Sequence, residues 1–132
     1  MKRGMILLLL AMILTSCGKA VPQPSAEAGP AYQTVTAEEG KAMLEEDPGI
    51  ILLDVRTPEE FAEGHIPGAI RITDSELEEE APRQLPDKDA KILVYCRSGR
   101  RSQASAQKLS DMGYTQIYDM GGIIDWPYEI VK

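Results

Sequence analysis

Cys96 is followed within five residues by three arginines, in the run Cys96, Arg97, Ser98, Gly99, Arg100, Arg101. A thiol attacks as its thiolate, and a thiolate needs positive surroundings. The flanking residue types supply them. Upstream, Ile92, Leu93, Val94 and Tyr95 make a continuous apolar run, the mark of a strand covered on both faces. Downstream, Ala104, Leu109 and Met112 recur at helical spacing until Gly113, a C-cap glycine. The cysteine therefore stands between a strand end and a helix start, where unpaired backbone N–H groups carry partial positive charge. Gly99 lets the loop turn with positive φ and come close to a bound atom. Such a loop suits an activated sulfur nucleophile facing a small anion. The alternative, that the arginines only line a solvated helix start, sets cations against the helix dipole without a reason.

The chain that must position this loop has 132 residues, enough for one domain with a core and too short for two ordinary ones. Its net charge of −7 argues against nucleic acid as a partner and gives the arginine cluster a local task. One histidine, His65, and one cysteine besides Cys17 cannot close a metal site, so no metal and no other cofactor is expected.

Residues 1–16 read as a leader: Lys2 and Arg3 are basic, and Met5 to Leu14 is an apolar run too short to span a bilayer as a helix. Leu14, Thr15, Ser16 and Cys17 resemble a bacterial lipobox, in which the cysteine is acylated and becomes the first mature residue. An ordinary secretory cut near Ala20 is the alternative. Both place the domain outside the cytoplasm, in the cell envelope, and the first anchors it to a membrane by lipid. Residues 17–31, rich in Pro, Ala and Gly, are expected to be a tether. With Cys17 lipidated, Cys96 is the only free thiol and no internal disulfide can form.

Residues 32–132 hold the domain. Thr36 with Glu39, and Thr57 with Glu60 and Pro58 at N1, form two capping boxes that start short helices. The first helix carries Ala42, Met43 and Leu44 as its apolar stripe, and the second ends at Gly64. Strands are expected at Ile50 to Leu53, Ala69 to Ile72, Ile92 to Tyr95 and Gln116 to Asp119. Between the second and third, an acidic stretch interrupted by Pro82 and Pro86 leaves room for a short helix capped by Asp74 or Ser75, with Leu85 folding onto the core. Gly121 and Gly122 read as a turn into a last short helix. Strands alternating with helices predict a parallel sheet, with the site at the strands' C-terminal ends, where Asp54 and Cys96 both stand. Asp54 and Arg56 are expected to support the loop by pairing with each other or with Glu60, and His65 in its GHIPG turn to be a hydrogen-bonded structural group.

Three segments together resemble the rhodanese family of sulfurtransferases: LDVRTPEEFAEGHIPGA (Leu53 to Ala69), VYCRSGRRSQASAQKLSDMG (Val94 to Gly113) and IYDMGGIIDW (Ile117 to Trp126). Order and spacing fit the single-domain members; Arg71 departs from the asparagine often found there. The resemblance implies an α/β fold with a five-stranded, mostly parallel sheet flanked by helices. It also implies a Cys96 that takes sulfane sulfur from a small anionic donor such as thiosulfate and passes it to a thiophilic acceptor such as cyanide or a thiol. Arg97, Arg100 and Arg101 would bind the donor, Ser98 and Gly99 would offer backbone donors, and the domain is expected to act as a monomer. Two alternatives stay open: a noncatalytic carrier or binding module, and a cysteine phosphatase or arsenate reductase. The second needs five residues between cysteine and arginine, whereas four separate Cys96 from Arg101 and position 102 is serine.

Overall fold

The computed structural model describes residues 31–132. The expected leader, Cys17 and the tether up to residue 30 lie outside the described residues. Five strands form one parallel sheet in the order β1-β5-β4-β2-β3. They are β1 (Gln33–Thr34), β2 (Ile51–Asp54), β3 (Ile70–Arg71), β4 (Lys91–Cys96) and β5 (Gln116–Gly122). Helices α1 (Ala37–Glu46), α2 (Pro58–Glu63), α3 (Leu77–Gln84) and α4 (Arg100–Asp111) connect them, with 3-10 turns at Asp74–Glu76 and Ile123–Asp125.

Both capping boxes form. Thr36 Oγ1 accepts the Glu39 N–H at 3.1 Å while Glu39 Oε2 accepts the Thr36 N–H at 2.7 Å. Thr57 and Glu60 repeat the exchange at 3.3 and 3.0 Å, with Pro58 at the first helical position. The central strands bury both faces because their side chains alternate between two cores. Leu53, Val55, Ile92, Val94 and Cys96 face one side, where Leu77 and Ala81 of α3 and Ala106 and Leu109 of α4 cover them. Leu52, Leu93 and Tyr95 face the other, with Ile66, Met120 and Trp126 and the edge of α1. Cys96 thus lies under α4.

Several expectations are corrected. The edge strand β1 has only two residues, both polar and exposed, so no apolar pattern marked it. On α4 the buried positions include Ser102 and Ser105, whereas Ala104 is exposed. Similarly, Ala42 on α1 faces solvent. Helix α3 runs through Pro82, which lies exposed, and neither Asp74 nor Ser75 caps it. Gly121 and Gly122 belong to the end of β5 rather than to a turn. Val94 pairs with Asp119 but Tyr95 pairs with Gly121, so β5 carries one extra residue at Met120. That bulge brings Gly121 and Gly122 alongside Tyr95 and Cys96.

Candidate active site

Strand β4 ends on Cys96, which is 1% exposed, and α4 starts four residues later at Arg100. Between them Arg97, Ser98 and Gly99 reverse the chain, and Gly99 does so with φ +101°, a conformation that glycine accepts without strain. The turn aims the Gly99 N–H at the cysteine: it donates to Cys96 Sγ at 3.0 Å. No side chain caps α4. Among the described residues, the N–H groups of Arg97, Ser98, Arg100 and Arg101 have no protein acceptor, which leaves four backbone donors beside Cys96 available to an anion.

The loop is fixed on two sides. On one, it rests on the end of β5: Gly99 lies over Gly121, and a side chain at Gly122 would collide with the Arg97 carbonyl oxygen. Ser102 Oγ donates to the carbonyls of Gly99 and Gly121 at 3.0 and 3.3 Å, and the Ile124 N–H donates to the Arg97 carbonyl at 3.2 Å. On the other side, the Arg101 guanidinium makes a two-point ion pair with Glu60, Nη1 to Oε2 and Nη2 to Oε1, both at 2.8 Å. This pairing, led by the hydrogen bonds from Arg101, pulls the Glu60 carboxyl down to about 2, and the same bonds raise Arg101 above its usual range.

Of the residues singled out in the sequence, Cys96 and the five that follow it are therefore together in one loop. They differ in availability. Arg97 and Arg100 are exposed and have no ion-pair partner among the described residues, whereas Arg101 is engaged by Glu60. Asp54 and Arg56 pair with each other beneath the site: Arg56 Nη2 donates to Oδ2 at 2.6 Å and Nε to both oxygens at 3.0 Å. Arg56 Nη2 also donates to the Gly64 carbonyl at 2.8 Å, which ties the end of β2 to the end of α2. Both residues are buried, and Tyr95 packs beside them, its hydroxyl accepting the Ile66 N–H at 3.1 Å. His65 stacks on Phe61, shares a hydrogen bond of 3.0 Å with its carbonyl and bridges Val131 through its backbone, a structural role. Arg71 reaches Thr73 and Glu76 at the sheet edge. Sequence reasoning named Glu60 only as a capping residue and as a possible partner of Asp54 or Arg56, and did not single out Gly121 and Gly122 as site residues; the adjacent GG at the end of the last strand was the signal those two left.

A family profile described as "Rhodanese-like domain" matches residues 36–127. The chain belongs to the rhodanese family. Among similar proteins, "Thiosulfate sulfurtransferase PspE" of Escherichia coli is 41% identical over 80 residues, covering 61% of this chain and 77% of PspE. A "Sulfurtransferase" of Allochromatium vinosum is 34% identical, over 70% of this chain and 85% of its own. Two solved structures share the fold. A rhodanese with anions from E. coli superposes with TM-score 0.57 at 37% identity, over 63% of this chain and 98% of that one. A rhodanese-related protein from Thermoplasma volcanium gives TM-score 0.65 at 32% identity, over 76% and 98%. The five-stranded parallel sheet with helices around it is thus the rhodanese fold.

Proposed function

We propose that this rhodanese is a sulfurtransferase that works through a persulfide on Cys96. The observation that carries the reading is the Gly99 N–H held 3.0 Å from Cys96 Sγ, at the floor of a loop whose remaining amides are open. The Cys96 thiolate attacks the outer sulfur of a donor such as thiosulfate, the S–S bond of the donor breaks, and sulfite leaves with the electron pair. Arg97 and Arg100 hold the departing oxyanion, and the loop amides take up the negative charge of the new persulfide. An acceptor such as cyanide or a thiolate then attacks the terminal sulfur and releases Cys96 as thiolate. Because Cys96 is nearly enclosed, slim reagents that present one sulfur or carbon atom fit best. The names of the relatives support thiosulfate as a donor.

Ester hydrolysis fits the loop less well. Only four residues separate Cys96 from Arg101, and that guanidinium is turned to Glu60 rather than left free for a tetrahedral oxyanion. A noncatalytic module would not need the sulfur held by the Gly99 N–H beside a run of unpaired amides. The lipobox-like run ending in Cys17 supports a lipid-anchored protein that performs this transfer on the outer side of a membrane.

Intact mass spectrometry of the purified protein with thiosulfate and then cyanide tests the chemistry. One sulfur atom gained on Cys96, lost as thiocyanate appears and absent in Cys96→Ala, is the expected result. Failure to gain sulfur from any sulfane donor overturns it.

A further inference from the structure

Three arginines crowd the loop, yet only two of them are unneutralised, and the one that is held is held by a residue that already has another task. Glu60 Oε2 accepts both the Thr57 N–H that closes the α2 capping box, at 3.0 Å, and Arg101 Nη1, at 2.8 Å. Oε1 is given wholly to Arg101 Nη2. The two side chains are 30% and 22% exposed, so water screens the pair only in part. Arg101 stands five positions after Cys96, in the first turn of the helix that follows the loop.

We propose that Glu60 sets the charge selectivity of the donor site: by neutralising Arg101 it limits the loop to two free cations, so that doubly charged donors gain little over singly charged ones. Thiosulfate carries two negative charges, whereas an organic thiosulfonate or a persulfide anion such as a thiol-bound sulfane sulfur carries one on the sulfur-bearing group. A loop with three uncovered guanidinium groups would favour the dianion and hold its product sulfite strongly. With Arg101 cancelled, both donor classes are admitted and the leaving oxyanion departs more easily. Glu60 acts through Arg101, so it is a positioning residue rather than a catalytic one. The inference rests on the Cys96 loop being the donor site.

The test separates charge from fold. Glu60→Gln keeps an amide oxygen for the Thr57 N–H and so preserves the cap, while removing the charge that cancels Arg101. Cys96 is alkylated with iodoacetamide, a neutral reagent, at fixed ionic strength, and protection by sulfate and by methanesulfonate is measured by peptide mass spectrometry, which distinguishes Cys96 from Cys17. In Glu60→Gln, half-protection by sulfate is expected at roughly threefold lower concentration or less, with a much smaller change for methanesulfonate. Arg101→Gln, which leaves the carboxylate uncovered, should move the ratio the opposite way. Equal changes for the two anions, no change, or no protection of Cys96 by either anion each overturn the proposal. The readout needs no sulfur transfer. A protein that takes no sulfur from donors but shows the shifted anion ratio would refute the transferase reading, and with it a donor site, while establishing that Glu60 tunes anion binding at the loop.

Discussion

Gly122 offers a direct measurement of how closely the loop must be held. Its backbone is extended, with φ −109° and ψ 143°, a conformation open to any residue, so alanine there meets no conformational penalty. What it meets is the loop. A Cβ would lie 2.3 Å from the Arg97 carbonyl oxygen, 2.7 Å from Ser98 Cα and 2.8 Å from the Arg97 carbonyl carbon, all backbone atoms with no rotamer to give way. Restoring an ordinary contact of 3.4 Å requires the loop to move by about 1 Å, a misplacement that can lower a reaction rate about 100-fold. Forcing one extra carbon into such packing costs about 1–3 kcal/mol of stability. Gly122→Ala is therefore expected to cut the rate of persulfide formation on Cys96 by about two orders of magnitude while lowering Tm by several degrees. Gly113→Ala is the matched control: it forces alanine to φ +95° with nothing within 4 Å, and should cost about 1–2 kcal/mol without slowing the reaction. Single-turnover mass spectrometry and thermal unfolding of both variants give the comparison. A Gly122→Ala protein that reacts within threefold of the parent would refute the claim that β5 sets the loop's position.

Asp54→Asn removes the carboxylate that neutralises buried Arg56 and should cost about 3–5 kcal/mol in urea unfolding; a loss below 1 kcal/mol would show that the pair is dispensable. Tyr95→Phe strands the buried Ile66 N–H, for an expected loss of about 1–3 kcal/mol by the same method. Glu60 titrates at about 2 in the folded protein against an ordinary 4.5, so its stabilising pairing is complete above about pH 4.5 and is lost as pH falls towards 2. Glu60→Gln should accordingly flatten the fall of stability across that acid range, and an unchanged pH profile would contradict the ion pair.

What could be read from the sequence was what leaves a one-dimensional pattern. Strands β2 and β4 are apolar runs because both their faces are covered, and the helix starts announce themselves through Thr36 with Glu39 and Thr57 with Glu60. The exposed Gln33–Thr34 strand leaves no such trace: its place at the sheet edge is set by pairing with Tyr118 and Asp119, far along the chain. Hydropathy misassigned α4 for a related reason. Ser102 is buried because the carbonyls of Gly99 and Gly121 satisfy its hydroxyl, and the second of these arrives only after β5 has come alongside. The grouping of Cys96 with Arg97, Arg100 and Arg101 was legible because they are nearly contiguous. The ion pair between Arg101 and Glu60 was not, since they lie 41 positions apart and the capping box already accounted for the glutamate.

These hidden contacts explain how an acidic chain maintains a cationic loop without losing control of it. A loop of six residues with a left-handed glycine has few regular hydrogen bonds of its own to hold its shape. Its geometry must come from outside, and the fold supplies two fixed surfaces. The bulge in β5 advances a glycine pair to the level of Cys96, so the loop backbone can lie against another backbone at van der Waals distance. Opposite it, α2 begins where β2 ends, and its capping glutamate reaches the first turn of α4. Because α2 is itself tied to β2 through Arg56 and Gly64, the charge on Arg101 is anchored to the sheet rather than to a mobile side chain. Steric placement by β5 and charge placement by α2 are thus separate, and substitutions at Gly122 and Glu60 should change different quantities: the rate of sulfur capture in the first case, the choice among anions in the second.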